Sequence, residues 1–179
     1  FNIIIMRSFL IAIGLVLLFS GFKNPVDSKL SKDIKRVLNI DDPKFRRIDA
    51  LNESKNGFFT GIESSSKSEI VGYYYSGRVF TCNNTHCSTD ITESEYLDYV
   101  IIFNKQVSIL MVKVVDYNAT HGHAVTAKGW LSQFIGYAGS KSLNVGTNID
   151  AISGATISAE AITYDIERVT SVLANFCKK

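Results

Sequence analysis

Three segments of the chain carry the clearest hydrophobic pattern, two in its middle and one near its C-terminal end. Leu97 to Phe103 and Gln106 to Asp116 are rich in Val, Ile and aromatic residues and predict two β-strands. Asn104-Lys105 between them suits a tight hairpin. From Ala155 to about Phe176, apolar residues recur at helical spacing, which predicts a long amphipathic helix. The residues of its apolar face are Ile162, Ile166, Val169, Leu173 and Phe176.

Weaker patterns complete the set of predicted elements. A helix is predicted between Pro25 and about Asn39, and a short one from Lys128 to about Tyr137. Phe58 to Ile62 and Ile70 to Phe80 have strand composition, the second with a turn or bulge near Ser76-Gly77. Together these elements indicate the α+β class: an antiparallel sheet packed with helices, an N-terminal membrane or signal helix, and a long C-terminal helix.

The first 22 residues are the most apolar part of the chain. Arg7 is followed by an uncharged stretch from Ser8 to Phe22, which is the pattern of an export signal. A helix that crosses a bilayer needs roughly 20 apolar residues, so a cleaved signal peptide and a retained anchor both stay open. We expect three parts: 1–22 as signal peptide or membrane anchor, 23–57 as linker and helix, and 58–179 as the folded domain.

Composition limits the possible functions. The chain has 179 residues, and without the leader roughly 155 remain, the size of one ordinary domain. Its 19 basic and 17 acidic residues give a net charge of +2 without a Lys/Arg run, so a nucleic-acid surface has no support. The sequence has no Gly-x-Gly-x-x-Gly fingerprint for a nicotinamide cofactor and no convincing Ser–His–Asp or Cys–His set.

Two cysteines lie close together in a polar segment. Cys82 and Cys87 are five positions apart among Asn, Thr and Ser residues. In an oxidising compartment outside the cell, such a pair can close a small disulfide loop. The alternative is a metal site that includes His86, although two Cys and one His are too few for a closed structural site.

The residues that lead into the C-terminal helix have a composition suited to an anion. Ser153 can cap the helix, and Gly154 and Ala155 are small enough for another molecule to approach the backbone. Thr156 falls in the first turn, where unpaired amides and the helix dipole favour a phosphate. The alternative is an ordinary helix start without a ligand.

The segment from Asp150 to Thr156 resembles the flavinylation motif of the FMN-binding domain. That domain occurs in covalently flavinylated components of the sodium-pumping NADH:quinone oxidoreductase and of the Rnf electron-transport complex. The family motif is Asp, two variable residues, Ser or Thr, Gly, Ala, then Thr or Ser. This chain matches it at Asp150, Ser153, Gly154, Ala155 and Thr156. The resemblance extends over about Phe58 to Phe176.

The resemblance implies a covalent cofactor. In the family, the last hydroxyl of the motif, here Thr156, receives FMN through a phosphodiester bond. A flavin transferase makes the bond, with FAD as donor and magnesium as its cofactor. The chain is then an FMN-binding domain over 58–179 that exchanges electrons with membrane redox partners on the outer, periplasmic or extracellular, side of the cytoplasmic membrane. It is more an electron-transfer protein than a stand-alone enzyme.

Further flavin contacts are expected near the predicted short helix. Trp130 and Phe134 suit a stacking wall for the flat ring, with core packing as the alternative. His121, His123 and Lys128 have the charge and hydrogen-bonding groups to stabilise an anionic reduced ring. The larger members of the family carry a Glu-Thr-Pro-Gly-Leu-Gly loop here, and this chain has Ala119, Thr120, His121 and Gly122 in its place.

Two functions stay open at this point. The first is an exported electron carrier in which the protein binds and tunes FMN. The second is a membrane-tethered domain without redox activity, which keeps the fold but binds no flavin. The mass of the protein separates them.

Overall fold

A computed structural model describes residues 28–51, 56–65, 69–81 and 95–178. The predicted leader at 1–22 and the Cys82–Cys87 pair lie outside these residues. Within the described part, no helix combines the length and the apolar character needed to cross a bilayer.

The described strands form one antiparallel sheet in which each strand pairs with its neighbour in sequence. These strands are β1 (Pro43–Arg47), β2 (Gly57–Ser64), β3 (Glu69–Phe80), β4 (Tyr96–Asn104) and β5 (Ile109–Asn118). The central strands β3 and β4 are the most deeply buried, since their middle residues are covered on both faces. The antiparallel sheet with packed helices confirms the α+β prediction.

Helices cover both faces of the sheet. The helix α1 (Ser28–Leu38) lies on one face, where Leu30 and Ile34 pack against Tyr74, Val100 and Ile102. The other face is covered by α2 (Lys128–Leu131), the 3₁₀ turns that flank it, and the long α3 (Thr156–Cys177). The predicted α3 is confirmed, and Ile162, Ile166, Val169 and Leu173 of its apolar face are buried in the core, whereas Phe176 is half-buried and lies outside it.

A buried polar cluster fixes α3 on the sheet. The hydroxyl of Tyr99 on β4 donates a hydrogen bond to Asp165 Oδ2 at 2.6 Å, and Arg168 donates to Asp165 Oδ1. Burial, followed by the charge of Asp165, raises the pKa of Tyr99 well above its ordinary value, so this phenol stays protonated and remains a donor. The cluster therefore defines the rotation of α3 over the strands, and with it the position of the helix start.

Several local predictions differ from the structure. The strand β3 runs without a break through Ser76-Gly77, and the register shift between β2 and β3 lies after Ile62 instead. The hairpin between β4 and β5 spans four residues, 105–108, because Asn104 Oδ1 accepts hydrogen bonds from the amides of Gln106 and Ser108. The predicted helix from Lys128 ends after one turn and continues as a 3₁₀ turn. The linker prediction for 23–57 leaves out β1, which forms an edge of the sheet.

Candidate functional site

A cavity of about 350 Å³ opens beside the start of α3. Its wall combines the ends of β3 and β4, the loop after β5 and the first turn of α3. The lining residues are Thr81, Glu95, His121, Gly122, Gly154, Ala155, Thr156, Ile157 and Ser158. The sheet brings these segments together because Thr81 directly follows β3 and Glu95 directly precedes β4, and the Thr81 amide donates to the Glu95 carbonyl at 2.9 Å.

Thr156 is the first residue of α3, and its side chain is exposed in the wall of the cavity. The amides of residues 156–158 belong to the first turn, where helix geometry supplies no intrahelical acceptor. A phosphate beside Thr156 would accept hydrogen bonds from these amides, and the positive end of the helix dipole would attract its negative charge. The exposed position and the adjacent space fit a hydroxyl that carries a nucleotide.

The start of α3 differs from the predicted cap. The N-cap is Ala155, with no side-chain cap hydrogen bond, so the prediction that Ser153 caps the helix is wrong. Ser153 is exposed in the turn before the helix. Gly154 has φ +76°, a left-handed conformation that glycine adopts without strain, and a Cβ there would contact nothing within 4 Å. The helix start is therefore left open to an external acceptor.

The loop after β5 is attached to the first turn of α3. The hydroxyl of Tyr117 donates to the carbonyl oxygen of His121, so Ser158 Oγ donates to Tyr117 Oη, at 3.0 Å. Gly122 has φ +87°, and a Cβ on it would lie 2.6 Å from Ser158 Oγ. A side chain at position 122 would push the loop away from α3, so the shape of the cavity depends on this glycine.

Glu95 brings a carboxylate to this loop. Its Oε1 accepts hydrogen bonds from the amide of Thr120, at 2.9 Å, and from the Thr120 hydroxyl. These bonds, the side-chain bond first, lower the pKa of Glu95, so the group is an anion at neutral pH. Glu95, which directly precedes β4, therefore places a carboxylate beside this loop.

The hydrogen bond from Thr120 to Glu95 also determines which nitrogen of His121 carries a proton. The Thr120 hydroxyl gives its one hydrogen to Glu95, so the bond of 2.9 Å between Thr120 Oγ1 and His121 Nδ1 requires Nδ1 to donate. His121 therefore carries a proton on Nδ1 and leaves Nε2 for a ligand or solvent. The exposed ring of His123 packs edge-on against Tyr117, with ring centroids 5.3 Å apart. His123 is not among the residues that line the cavity, and its contact with the flavin stays a prediction.

Trp130 holds the first residue of the motif by a hydrogen bond from the core. Its Nε1–H donates to the carbonyl oxygen of Asp150 at 2.8 Å, and the Asp150 amide donates to Gln133 Oε1 at 2.9 Å. The indole is 8% exposed and packs edge-on against Phe134, which is fully buried. Both rings lie in the core and outside the described wall of the cavity. A direct contact of Trp130 with the flavin ring stays a prediction.

The remaining predicted contacts differ in their exposure and in whether they line the cavity. Lys128 is exposed at the beginning of α2 and is not part of the cavity wall. Asp150 is exposed, with its backbone held by α2 and the turn after it. Ala155 is 4% exposed and packs in the core on the α3 side of the sheet. Sequence reasoning did not single out the lining residues Thr81, Glu95 and Ser158, because strand pairing and helix packing bring them to the site.

Comparison with known proteins shows which family the residues around the cavity resemble. Residues 95–170 match the model of the FMN-binding domain. The matched segment contains β4, β5, the loop with Gly122, the motif and most of α3, and so every lining residue of the cavity except Thr81. A search of curated proteins gives no match. Residues 95–170 are therefore similar to the FMN-binding domain, and FMN is the cofactor that this similarity supports.

Proposed function

We propose that the chain is an electron carrier with one FMN joined through its phosphate to the hydroxyl of Thr156, held on the outer side of a cytoplasmic membrane. One observation carries the proposal. The hydroxyl-bearing side chain at the first position of α3 is exposed, and it borders a cavity next to unpaired helix amides. A phosphodiester at this atom places one negative charge, shared by two oxygens, where the helix dipole favours negative charge.

The attachment is a transfer of the FMN part of FAD to Thr156. Thr156 Oγ forms a bond to the phosphorus on the FMN side of FAD, the pyrophosphate bond breaks, and AMP leaves. The hydroxyl proton passes to solvent or to a base of the flavin transferase, whose magnesium neutralises the phosphates. The exposure of Thr156 supports this route, because a transferase that acts on the folded chain must reach the hydroxyl.

The residues of the chain bind and orient the cofactor. The first turn of α3 receives the phosphate, and the loop at Gly122 forms the adjoining part of the cavity wall. Glu95 and His121 present an anionic acceptor and a free Nε2 to the polar groups of a flavin. FMN, when bound, supplies the exchange of one or two electrons.

A covalent bond has a physical advantage outside the cell. FMN that dissociates there is lost by dilution, whereas a tether keeps it at the protein whatever its affinity. The leader at 1–22 has the pattern of an export signal or anchor, which supports a membrane location and membrane redox partners. The alternative function, a membrane-tethered domain without flavin, uses the same fold and predicts a colourless protein.

Fluorescence in a denaturing gel tests the proposal. The full chain is produced together with a flavin transferase, and a tethered flavin gives a yellow-green band after denaturation. Thr156→Ala should abolish the band, whereas Thr156→Ser, which keeps a hydroxyl at the helix start, should retain it. A colourless wild-type band, or a band that persists in Thr156→Ala, contradicts the proposal.

A further inference from the structure

Thr81 has a buried hydroxyl without a partner. The residue follows β3 directly and is 4% exposed, and its Oγ1 has no hydrogen bond within the described structure. A buried hydroxyl in this state has lost its hydrogen bonds to water and gained nothing in return. Folded proteins rarely leave such groups unpaired, so each one needs a physical reason.

The position of Thr81 distinguishes it from the other buried polar side chains that have no hydrogen-bond partner. Among the described residues, the other buried side-chain atoms without a partner belong to Thr60, Tyr74, Tyr75 and Thr163. None of these four is in the wall of the cavity beside Thr156, whereas Thr81 is. Thr81 is therefore the residue with an unpaired buried hydroxyl that lies in the wall of the cavity beside Thr156.

The backbone of Thr81 is held in place while its hydroxyl stays unpaired. The Thr81 amide donates to the Glu95 carbonyl at 2.9 Å, which fixes the backbone where the β3–β4 pair ends. The nearby carboxylate of Glu95 accepts from Thr120 through Oε1. Thr81 thus contributes a hydroxyl on a fixed backbone, and this hydroxyl can donate one hydrogen bond and accept others.

We propose that the hydroxyl of Thr81 is a hydrogen-bond contact of the flavin nucleotide in this cavity. The inference rests on the proposed function, since it takes FMN as the occupant. A flavin nucleotide offers carbonyl and ring-nitrogen acceptors on its polar edge and hydroxyl groups on its ribityl chain. Either kind of group pairs with Thr81 and removes the cost of its burial.

The test compares the flavin-free and the flavinylated protein by thermal unfolding. Thr81→Val keeps the shape of the side chain and removes the hydroxyl. Without flavin, the variant should unfold at the same temperature as wild type or up to about 4 °C higher, because an unpaired buried group is lost. The rise in Tm on flavinylation should be smaller than in wild type by about 2–8 °C, because the flavin loses a partner.

Two further variants control the comparison. Thr81→Ser keeps the hydroxyl and should retain most of the rise in Tm. Thr163→Val removes another buried hydroxyl without a partner, on α3 and outside the cavity wall, and should leave the rise unchanged. An equal rise in wild type and Thr81→Val, or a clear loss of stability in flavin-free Thr81→Val, overturns the inference.

Intact mass separates failure of this inference from failure of the proposed function. An adduct on wild type together with an equal rise in Thr81→Val contradicts the Thr81 contact alone. Without an adduct, the covalent proposal fails, and the same comparison is made with FMN added to the solution. A rise that shrinks in Thr81→Val then supports the contact, and no rise in wild type overturns both.

Discussion

The indole Nε1–H of Trp130 donates a hydrogen bond of 2.8 Å to the carbonyl oxygen of Asp150, the first residue of the motif that leads into α3. Trp130 is buried against Phe134, so the hydrogen bond starts from a rigid part of the core. Gln133 holds the amide of the same Asp150. The helix α2 thus positions the segment that ends in Thr156, although Trp130 is not part of the described cavity wall.

Trp130→Phe tests this positioning. The variant keeps an aromatic ring but leaves the Asp150 carbonyl without its donor and removes part of the packed volume. We expect the free energy of unfolding to fall by about 1.5–3 kcal/mol, measured by urea denaturation. The rate of flavin attachment should fall by about tenfold, because a displaced reacting group lowers the rate steeply.

Phe134→Leu is the matched control for Trp130→Phe. It removes volume from the same buried pair of rings and leaves the hydrogen bond to Asp150 in place. Its stability should fall by a similar amount while the rate of flavin attachment stays near that of wild type. Equal rates in the two variants would show that the bond from Trp130 does not position the motif.

Gly122→Ala tests the contact between the loop after β5 and α3. Position 122 has φ +87°, which costs a residue with a Cβ about 1–2 kcal/mol. The added Cβ would also lie 2.6 Å from Ser158 Oγ, so the loop must move, at a further cost of about 1–3 kcal/mol. Urea denaturation should show the sum, and flavin attachment should be impaired.

Gly136→Ala separates the two costs at Gly122. Gly136 has nearly the same backbone conformation, φ +86°, but a Cβ there would contact nothing within 4 Å. The free energy of unfolding of Gly136→Ala should therefore fall by only about 1–2 kcal/mol, and its flavin attachment should be unchanged. A loss in Gly122→Ala no larger than in Gly136→Ala would mean that the loop tolerates the contact with Ser158.

The pH dependence of stability tests the charge of Glu95. The bonds from Thr120 lower its pKa below the ordinary value of 4.5, so the folded state holds the anion more strongly than the unfolded state does. The stabilisation is present above pH 4.5 and is lost as the pH falls through the lower folded pKa. The difference in Tm between wild type and Glu95→Gln should be constant from about pH 5 to 8 and should shrink below that range.

The amide in Glu95→Gln still accepts the hydrogen bonds of Thr120, so the comparison isolates the charge. Other carboxyl groups titrate in both proteins and cancel in the difference. A difference in Tm that stays flat down to about pH 3 would show that Glu95 gains nothing from its anionic form in the folded state.

The sequence predicted what depends on local repetition. The helix α3 follows from apolar residues at helical spacing, and β4 and β5 follow from their Val, Ile and aromatic content. The motif pointed to Thr156 because small residues and a hydroxyl at a helix start form a local pattern. These features need no knowledge of which strands pair.

Features that depend on distant contacts did not follow from the sequence. Glu95 meets Thr120 because β4 and β5 pair with Tyr96 opposite Asn118, and no spacing in the sequence reports that pairing. Ser153 has the side chain of a good cap, but burial of Ala155 in the core places the N-cap two residues later. The hairpin after β4 is longer than a two-residue turn because Asn104 Oδ1 accepts hydrogen bonds from two amides within it, and Val107 adopts φ +64° there.

The mass of the mature protein and of one tryptic peptide tests the central claim most directly. Cleavage after Lys141 and Arg168 releases residues 142–168, which contain Thr156 together with Thr147 and Thr163 as internal controls. After production with a flavin transferase, the peptide should gain about 438 Da, the mass of FMN less one water, and fragmentation should place it on Thr156. An unmodified peptide, or an adduct on any other residue, would contradict the account.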